Sequence, residues 1–131
     1  MAVRLRSIAL VSGGLDSLVS LARAVRERSV ASVMFFDYGQ RARESERVSS
    51  MSAANFYGLP FQDVDVRWLE SLSPPGMRLS SVAGDEGGDA LRSLDDVWIP
   101  NRNGVFINIA AAYAERGACD TIVTGYNREE A

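Results

Sequence analysis

No lysine and no histidine occur among these 131 residues; the fourteen basic side chains are all arginine. A Walker A loop needs a lysine to reach the phosphates, so a P-loop NTPase is excluded. Catalysis through histidine is excluded with it. Cysteine occurs once, at Cys119, so no internal disulfide can form. A zinc site built from this chain's own cysteine and histidine is ruled out for the same reason. No apolar run approaches the ~20 residues of a membrane span, and the start Met1-Ala2-Val3-Arg4-Leu5-Arg6 has no long apolar signal core. A cytoplasmic protein is the simplest expectation. The net charge of -3 and pI near 4.9 argue against nonspecific nucleic-acid binding, which needs a basic face.

What is present is enough apolar sequence for one domain: 47% of residues are hydrophobic, so residues 1–131 can bury a core. The stretch that organises the chain is Ser12-Gly13-Gly14-Leu15-Asp16-Ser17, between the apolar run Ile8 to Val11 and a helical pattern that follows. Glycine permits positive φ and close backbone approach, Ser12 and Ser17 bring hydroxyls, and a helix that starts here points first-turn amides at whatever fills the bend. That combination suits phosphate. The dinucleotide fingerprint Gly-x-Gly-x-x-Gly has a different spacing and does not apply.

Strand and helix alternate along the chain. Arg4 to Val11 reads as a buried-type strand and Leu15 to Arg28 as an amphipathic helix, with Leu18, Leu21, Ala22 and Val25 recurring at helical spacing. Val30 to Phe36 is a second strand leading into Asp37-Tyr38-Gly39-Gln40, and Arg41 to Tyr57 a second helix stopped by Gly58 and Pro60. Phe61 to Val66 reads as a third, more exposed strand. Residues 71–96 carry turn residues and acid without periodicity, and read as a long loop, either a surface insertion or a lid. Gly104 to Arg116 is a third helix and Asp120 to Thr124 a short strand running into Gly125-Tyr126-Asn127. This alternation implies an α/β fold, a doubly wound parallel sheet covered on both faces. Ligands of such sheets bind beyond the carboxyl ends of the strands. The three polar loops, after the first, second and last strands, are therefore expected to face one crevice.

Ser-Gly-Gly-x-Asp-Ser resembles the PP-motif of the N-type ATP pyrophosphatases, which split ATP between the α and β phosphates. Phe36-Asp37-Tyr38-Gly39-Gln40-Arg41, then Ile99-Pro100-Asn101-Arg102-Asn103 opening a helix, then Gly125-Tyr126-Asn127, narrow the likeness. Together these motifs resemble the 7-cyano-7-deazaguanine synthase family, the QueC family of queuosine biosynthesis. The resemblance implies an adenine nucleotide alpha hydrolase-like (PP-loop) fold. It implies an ATP-dependent ligase that turns 7-carboxy-7-deazaguanine and ammonia into the nitrile preQ0 through an adenylate, in cytoplasmic zinc-containing proteins that are often homodimers.

Carried over residue by residue, the resemblance implies that Ser12, Gly13, Gly14, Asp16 and Ser17 hold the phosphates, with Asp16 a candidate Mg²⁺ contact and Leu15 among the ATP-binding positions. Val11 and the positions Leu18, Val19, Ser20 and Leu21 would shape the nucleotide cleft. Arg102 is the expected charge clamp, because a guanidinium pairs bidentately with phosphate or carboxylate; a structural ion pair with Asp95 or Asp96 is its other reading. Asp37 has two readings as well, an ATP contact or a cap on the helix opening at Arg41. Gln40, Arg41, Asn103, Gly125 and Asn127 complete the expected ATP contacts, with Arg128 beside them. Tyr38 reads as packing, and Trp68 and Trp98 as core or interface aromatics, Trp98 with the option of stacking on a base.

The family carries a zinc site of four cysteines in its C-terminal region, and this chain's single cysteine cannot build it. The chain is therefore expected to be the N-terminal, ATP-binding portion, and the strand at Thr121 not to be the last of the sheet. Other readings are a related PP-loop ligase on a different carboxylate or amide, as in QueC-like proteins of defence operons, and a non-catalytic nucleotide-binding module such as a universal stress protein.

Overall fold

In the computed structural model, residues 6–74 and 99–126 are described. Four strands, β1 (Arg6–Leu10), β2 (Ser29–Asp37), β3 (Phe61–Asp65) and β4 (Thr121–Val123), form one sheet in the order β3-β2-β1-β4. Every neighbouring pair is parallel, with Leu10 opposite Met34, Phe36 opposite Val64 and Ile8 opposite Ile122. The expected doubly wound sheet is thus what the chain builds. Helices α1 (Leu15–Glu27), α2 (Arg43–Phe56) and α3 (Arg102–Arg116) are the crossovers. A 3₁₀ helix at Arg67–Leu72 follows β3, at the start of the segment expected to be irregular.

Alternation along the central strands divides the interior into two cores. Ile8, Leu10, Met34 and Phe36 face α3 and the 3₁₀ helix, packing with Leu69, Phe106, Ala110 and Ala114. Ala9, Val11 and Val33 face the other way, against Leu21 of α1 and Ala54 of α2. Both faces of β1 and β2 are therefore dry, which is why these strands read as unbroken apolar runs. The first two crossovers step the same way across the sheet and put α1 and α2 on one face. The third returns past β1, and a crossover of the same hand running backwards places α3 on the opposite face. This reversal lies between β1 and β4, where such folds open a crevice.

Trp68 is 61% exposed, so of its two readings, core or interface aromatic, the core one is corrected; Leu69 takes the core position of that helix at 0% exposure. Among the described residues β4 is the edge strand beside β1. Trp98, Asn127, Arg128 and most of the 71–96 loop lie outside the described residues.

Candidate functional site

The bend after β1 is shaped by its own hydroxyls. Ser17 Oγ donates to the Gly14 carbonyl at 3.0 Å and accepts the Ser12 amide at 3.1 Å, while Ser12 Oγ lies 3.2 Å from it. Gly13 sits at φ +85°, and a Cβ there would stand 2.7 Å from the Glu46 carbonyl oxygen, so only glycine lets α2 approach. From α2, Ser49 and Ser50 donate to the carbonyls of Gly13 and Val11, each at 3.3 Å. The N-cap of α1 is Gly14, with no side-chain cap bond, so the first-turn amides face the bend. The bend is a preorganised, amide-lined concavity of the kind that takes anions.

The loops after β2 and β4 close on it. A cavity of about 430 Å³ is lined by Val11, Ser12, Gly14, Leu15, Asp16 and Ser17 on one side, and by Tyr38, Gln40, Arg102, Asn103, Gly125 and Tyr126 on others. Gly125 rests on the start of α1 so closely that a Cβ would lie 2.6 Å from Ser17 Cα. Phe36 and Phe106, ring centroids 4.2 Å apart and nearly parallel, form an apolar wall, and Tyr38 leans on Phe106 at 5.6 Å. Arg102 Nη1 donates to the Tyr38 hydroxyl at 2.9 Å, and its guanidinium lies 5.0 Å from the Tyr38 ring centroid. Asn101 opens α3 in the left-handed region at φ 52° without a side-chain cap bond, so a second helix start, carrying Arg102 and Asn103, also faces the cavity. One end of the space is polar and rich in donors. The other is flat and aromatic.

Several expected contacts fall elsewhere. Past the first turn, α1 rotates away from the cavity. Leu21 is buried against the sheet at 1% exposure, Leu18 packs beside it, Val19 is 58% exposed, and Ser20 does not line the space either. Gly13 faces α2, and Arg41 is exposed outside the cavity. Asp37 neither lines the cavity nor caps α2, whose N-cap is Ala42. Its carboxylate instead receives the Gly39 amide at 3.0 Å and Arg47 Nη2 at 2.5 Å. Gln40 is 2% exposed and braces the same loop, accepting the Tyr38 amide at 2.9 Å and donating to the Phe36 carbonyl at 3.0 Å. Tyr38, read as packing, also carries Arg102.

Seven lining residues were not among the expected contacts: Leu10, Phe35, Phe36, Tyr38, Glu46, Phe106 and Tyr126. Glu46 had a signal: it stands one turn before Ser50 and two before Ala54, the buried positions of α2. A carboxylate on the inward stripe of an amphipathic helix marks a site more often than a wet face.

In chemical terms, Asp16 is an exposed carboxylate at the polar end of the cavity. A hard oxygen donor of this kind could contribute to holding a divalent cation. One cysteine and no histidine do not fit a structural zinc, and among the described residues no group of three or more metal-ligating side chains gathers.

Residues 6–131 match the family model described as queuosine biosynthesis protein QueC. The chain is 43% identical over 135 residues to the 7-cyano-7-deazaguanine synthase of Pelotomaculum thermopropionicum, with 97% of this chain and 61% of that protein covered. It is 40% identical to the enzyme of that name from Carboxydothermus hydrogenoformans, covering 96% and 61%, and 35% identical to that of Methanosarcina barkeri, covering 97% and 60%. The chain thus spans about three fifths of the length of these relatives. With the glycine bend and its two partner loops placed as the PP-loop reading requires, the chain belongs to the QueC family.

Proposed function

We propose that this chain carries the nucleotide-activating part of a 7-cyano-7-deazaguanine synthase, an ATP-dependent carbon-nitrogen ligase of queuosine biosynthesis acting in the cytoplasm, as a homodimer. The observation that carries the reading is the union, in one cavity of about 430 Å³, of the Ser12 to Ser17 bend, the Arg102 cation and an aromatic wall. A space of that size suits a nucleotide. No nucleic acid or membrane partner is invoked.

A carboxylate is a poor electrophile because its leaving group would be oxide. When the carboxylate of 7-carboxy-7-deazaguanine attacks the α-phosphorus of ATP, the bond to the bridging oxygen breaks and pyrophosphate leaves. The Ser12 to Ser17 amides and hydroxyls cradle that pyrophosphate and stabilise the charge it gathers. Arg102 pairs with the phosphate or the incoming carboxylate. Asp16 would hold Mg²⁺, which supplies further neutralisation of the polyphosphate. Ammonia then attacks the acyl carbon and AMP departs, giving the amide. A second ATP adenylates the amide oxygen and releases a second pyrophosphate, and loss of AMP and a proton then leaves the nitrile. Every protein contribution is positioning or charge, so a site without histidine suffices.

The test is pyrophosphate release from ATP by the protein bearing this chain, supplied with 7-carboxy-7-deazaguanine and ammonium. Release with that acid, and nitrile formed in step with it, is the expected result. Release only with another carboxylate or amide would move the protein to a different PP-loop ligase.

A further inference from the structure

Arg47 does not line the cavity, yet it is the most heavily committed cation among the described residues. From α2 its guanidinium reaches Asp37 at the end of β2 (2.5 Å), Asp63 in β3 (2.6 Å) and Glu44 one turn earlier (2.6 Å). It also lies 5.4 Å from the centroid of the Phe35 ring. Only 17% of its side chain and 8% of that of Asp37 is exposed. The hydrogen bond to Glu44, with those to Asp63 and Asp37, raises its pKa, so it stays charged wherever the fold persists. A planar fork engaging three carboxylates fixes direction as well as distance.

The consequence travels through Asp37. With one carboxylate oxygen held by Arg47, the other receives the Gly39 amide, and Gly39 sits at φ +88°. That turn sets where Tyr38 stands, and the Tyr38 hydroxyl and ring hold Arg102. We infer that Arg47 is a positioning residue for the site: through Asp37 and the Gly39 turn it sets the place of Tyr38, and through Tyr38 that of the Arg102 guanidinium on the opposite face of the sheet. The inference rests on the proposed function only for its consequence, tighter nucleotide binding, and not for the coupling itself.

Two readouts separate these. In the ligand-free protein bearing this chain, the exchange rate of the Arg102 Nη protons, one of which Tyr38 accepts, is measured by NMR for wild type, Arg47→Met, Arg47→Lys, Asp37→Asn and Tyr38→Phe. Arg47→Met and Asp37→Asn should speed that exchange several-fold, as Tyr38→Phe does directly. Arg47→Lys, which keeps the charge and loses the fork, should stay close to Arg47→Met. Exchange at Arg102 unchanged in a folded Asp37→Asn or Arg47→Met chain would overturn the inference. Should Arg47→Met not fold, Asp37→Asn, which keeps size and shape, decides alone. In the second arm, ATP affinity is measured with and without Arg102→Met. The expected result is a roughly tenfold loss from Arg47→Met in the wild-type background and less than twofold in the Arg102→Met background. Equal losses in both would overturn it. Accelerated Arg102 exchange with no ATP binding by any variant would uphold the coupling and sink the nucleotide reading instead.

Discussion

Two glycines separate conformational need from steric need. Gly13 and Gly58 both have positive φ, +85° and +69°, but a Cβ on Gly58 meets nothing within 4 Å while one on Gly13 meets the α2 backbone. Gly58→Ala should therefore cost only the left-handed penalty, roughly 1–2 kcal/mol. Gly13→Ala should cost more, because α2 must shift, and should also abolish ATP binding, which Gly58→Ala should spare. Denaturant midpoints alongside equilibrium binding check this; equal destabilisation with equal affinity would remove the close-approach argument. Asp65 offers a different residue-scale test. Hydrogen bonds from the Arg67 side chain at 2.7 and 3.0 Å, then from its amide, lower the Asp65 pKa to about 2. A carboxyl whose folded pKa is depressed contributes stability above its unfolded value near 3.9, lost as pH falls through the folded value. Both side chains are more than half exposed, so solvent screens the pair and the contribution is small. Asp65→Asn should leave the unfolding midpoint nearly unchanged at pH 6 relative to pH 5 and flatten its fall between about pH 4 and pH 2. A steep loss unchanged by the substitution would assign the acid limb to other carboxylates.

Most elements were legible because local pattern and burial agree in them. The unbroken apolar run Ile8 to Val11 sits in a strand with two dry faces, and the Leu18, Leu21, Val25 spacing does put one face of α1 on the sheet. Expected and observed boundaries differ by at most two residues where both are described, as at α2, expected from Arg41 and observed from Arg43. What stayed hidden depends on pairs distant in sequence or on short elements. The Asp37 carboxylate has its partner ten residues on, at Arg47. The 3₁₀ helix Arg67–Leu72 is too short to show a period. The lining of the candidate site was legible where it coincides with strand ends and illegible where helix rotation decides, as at Leu18 to Leu21. That placement has a stability consequence. With Leu21 at 1% exposure between α1 and the sheet, Leu21→Ala should cost about 2–5 kcal/mol, with a modest change in ATP affinity. Val19→Ala, at a position 58% exposed, should cost under about 0.5 kcal/mol. The reverse order, or a large affinity loss with small destabilisation at Leu21, would restore this stretch to the nucleotide contacts.

At the scale of the whole molecule, β1 and β2 contribute alternate residues to both cores, Ile8 and Leu10 to one, Ala9 and Val11 to the other. Neither core can melt while the other keeps its strands, so unfolding should be one transition. The cavity is walled from both sides of this shared sheet, by the start of α1 and by the start of α3 with Arg102 and Phe106. A ligand there that binds only the folded chain stabilises both cores at once, by about 2.7 kcal/mol at a hundred times its dissociation constant. At roughly 2–8 °C per kcal/mol, MgATP should raise the melting temperature by several degrees or more. The shift should be the same whether melting is followed by far-UV circular dichroism or by hydrogen exchange at the α1 and α3 amides. Gly13→Ala, which spoils the bend, should erase the shift at every probe, while Leu21→Ala should lower the starting point and keep it. Amides of one helix protected by MgATP without those of the other would show the two faces to be separate units, and the ligand to sit on one of them instead of at the sheet ends between them.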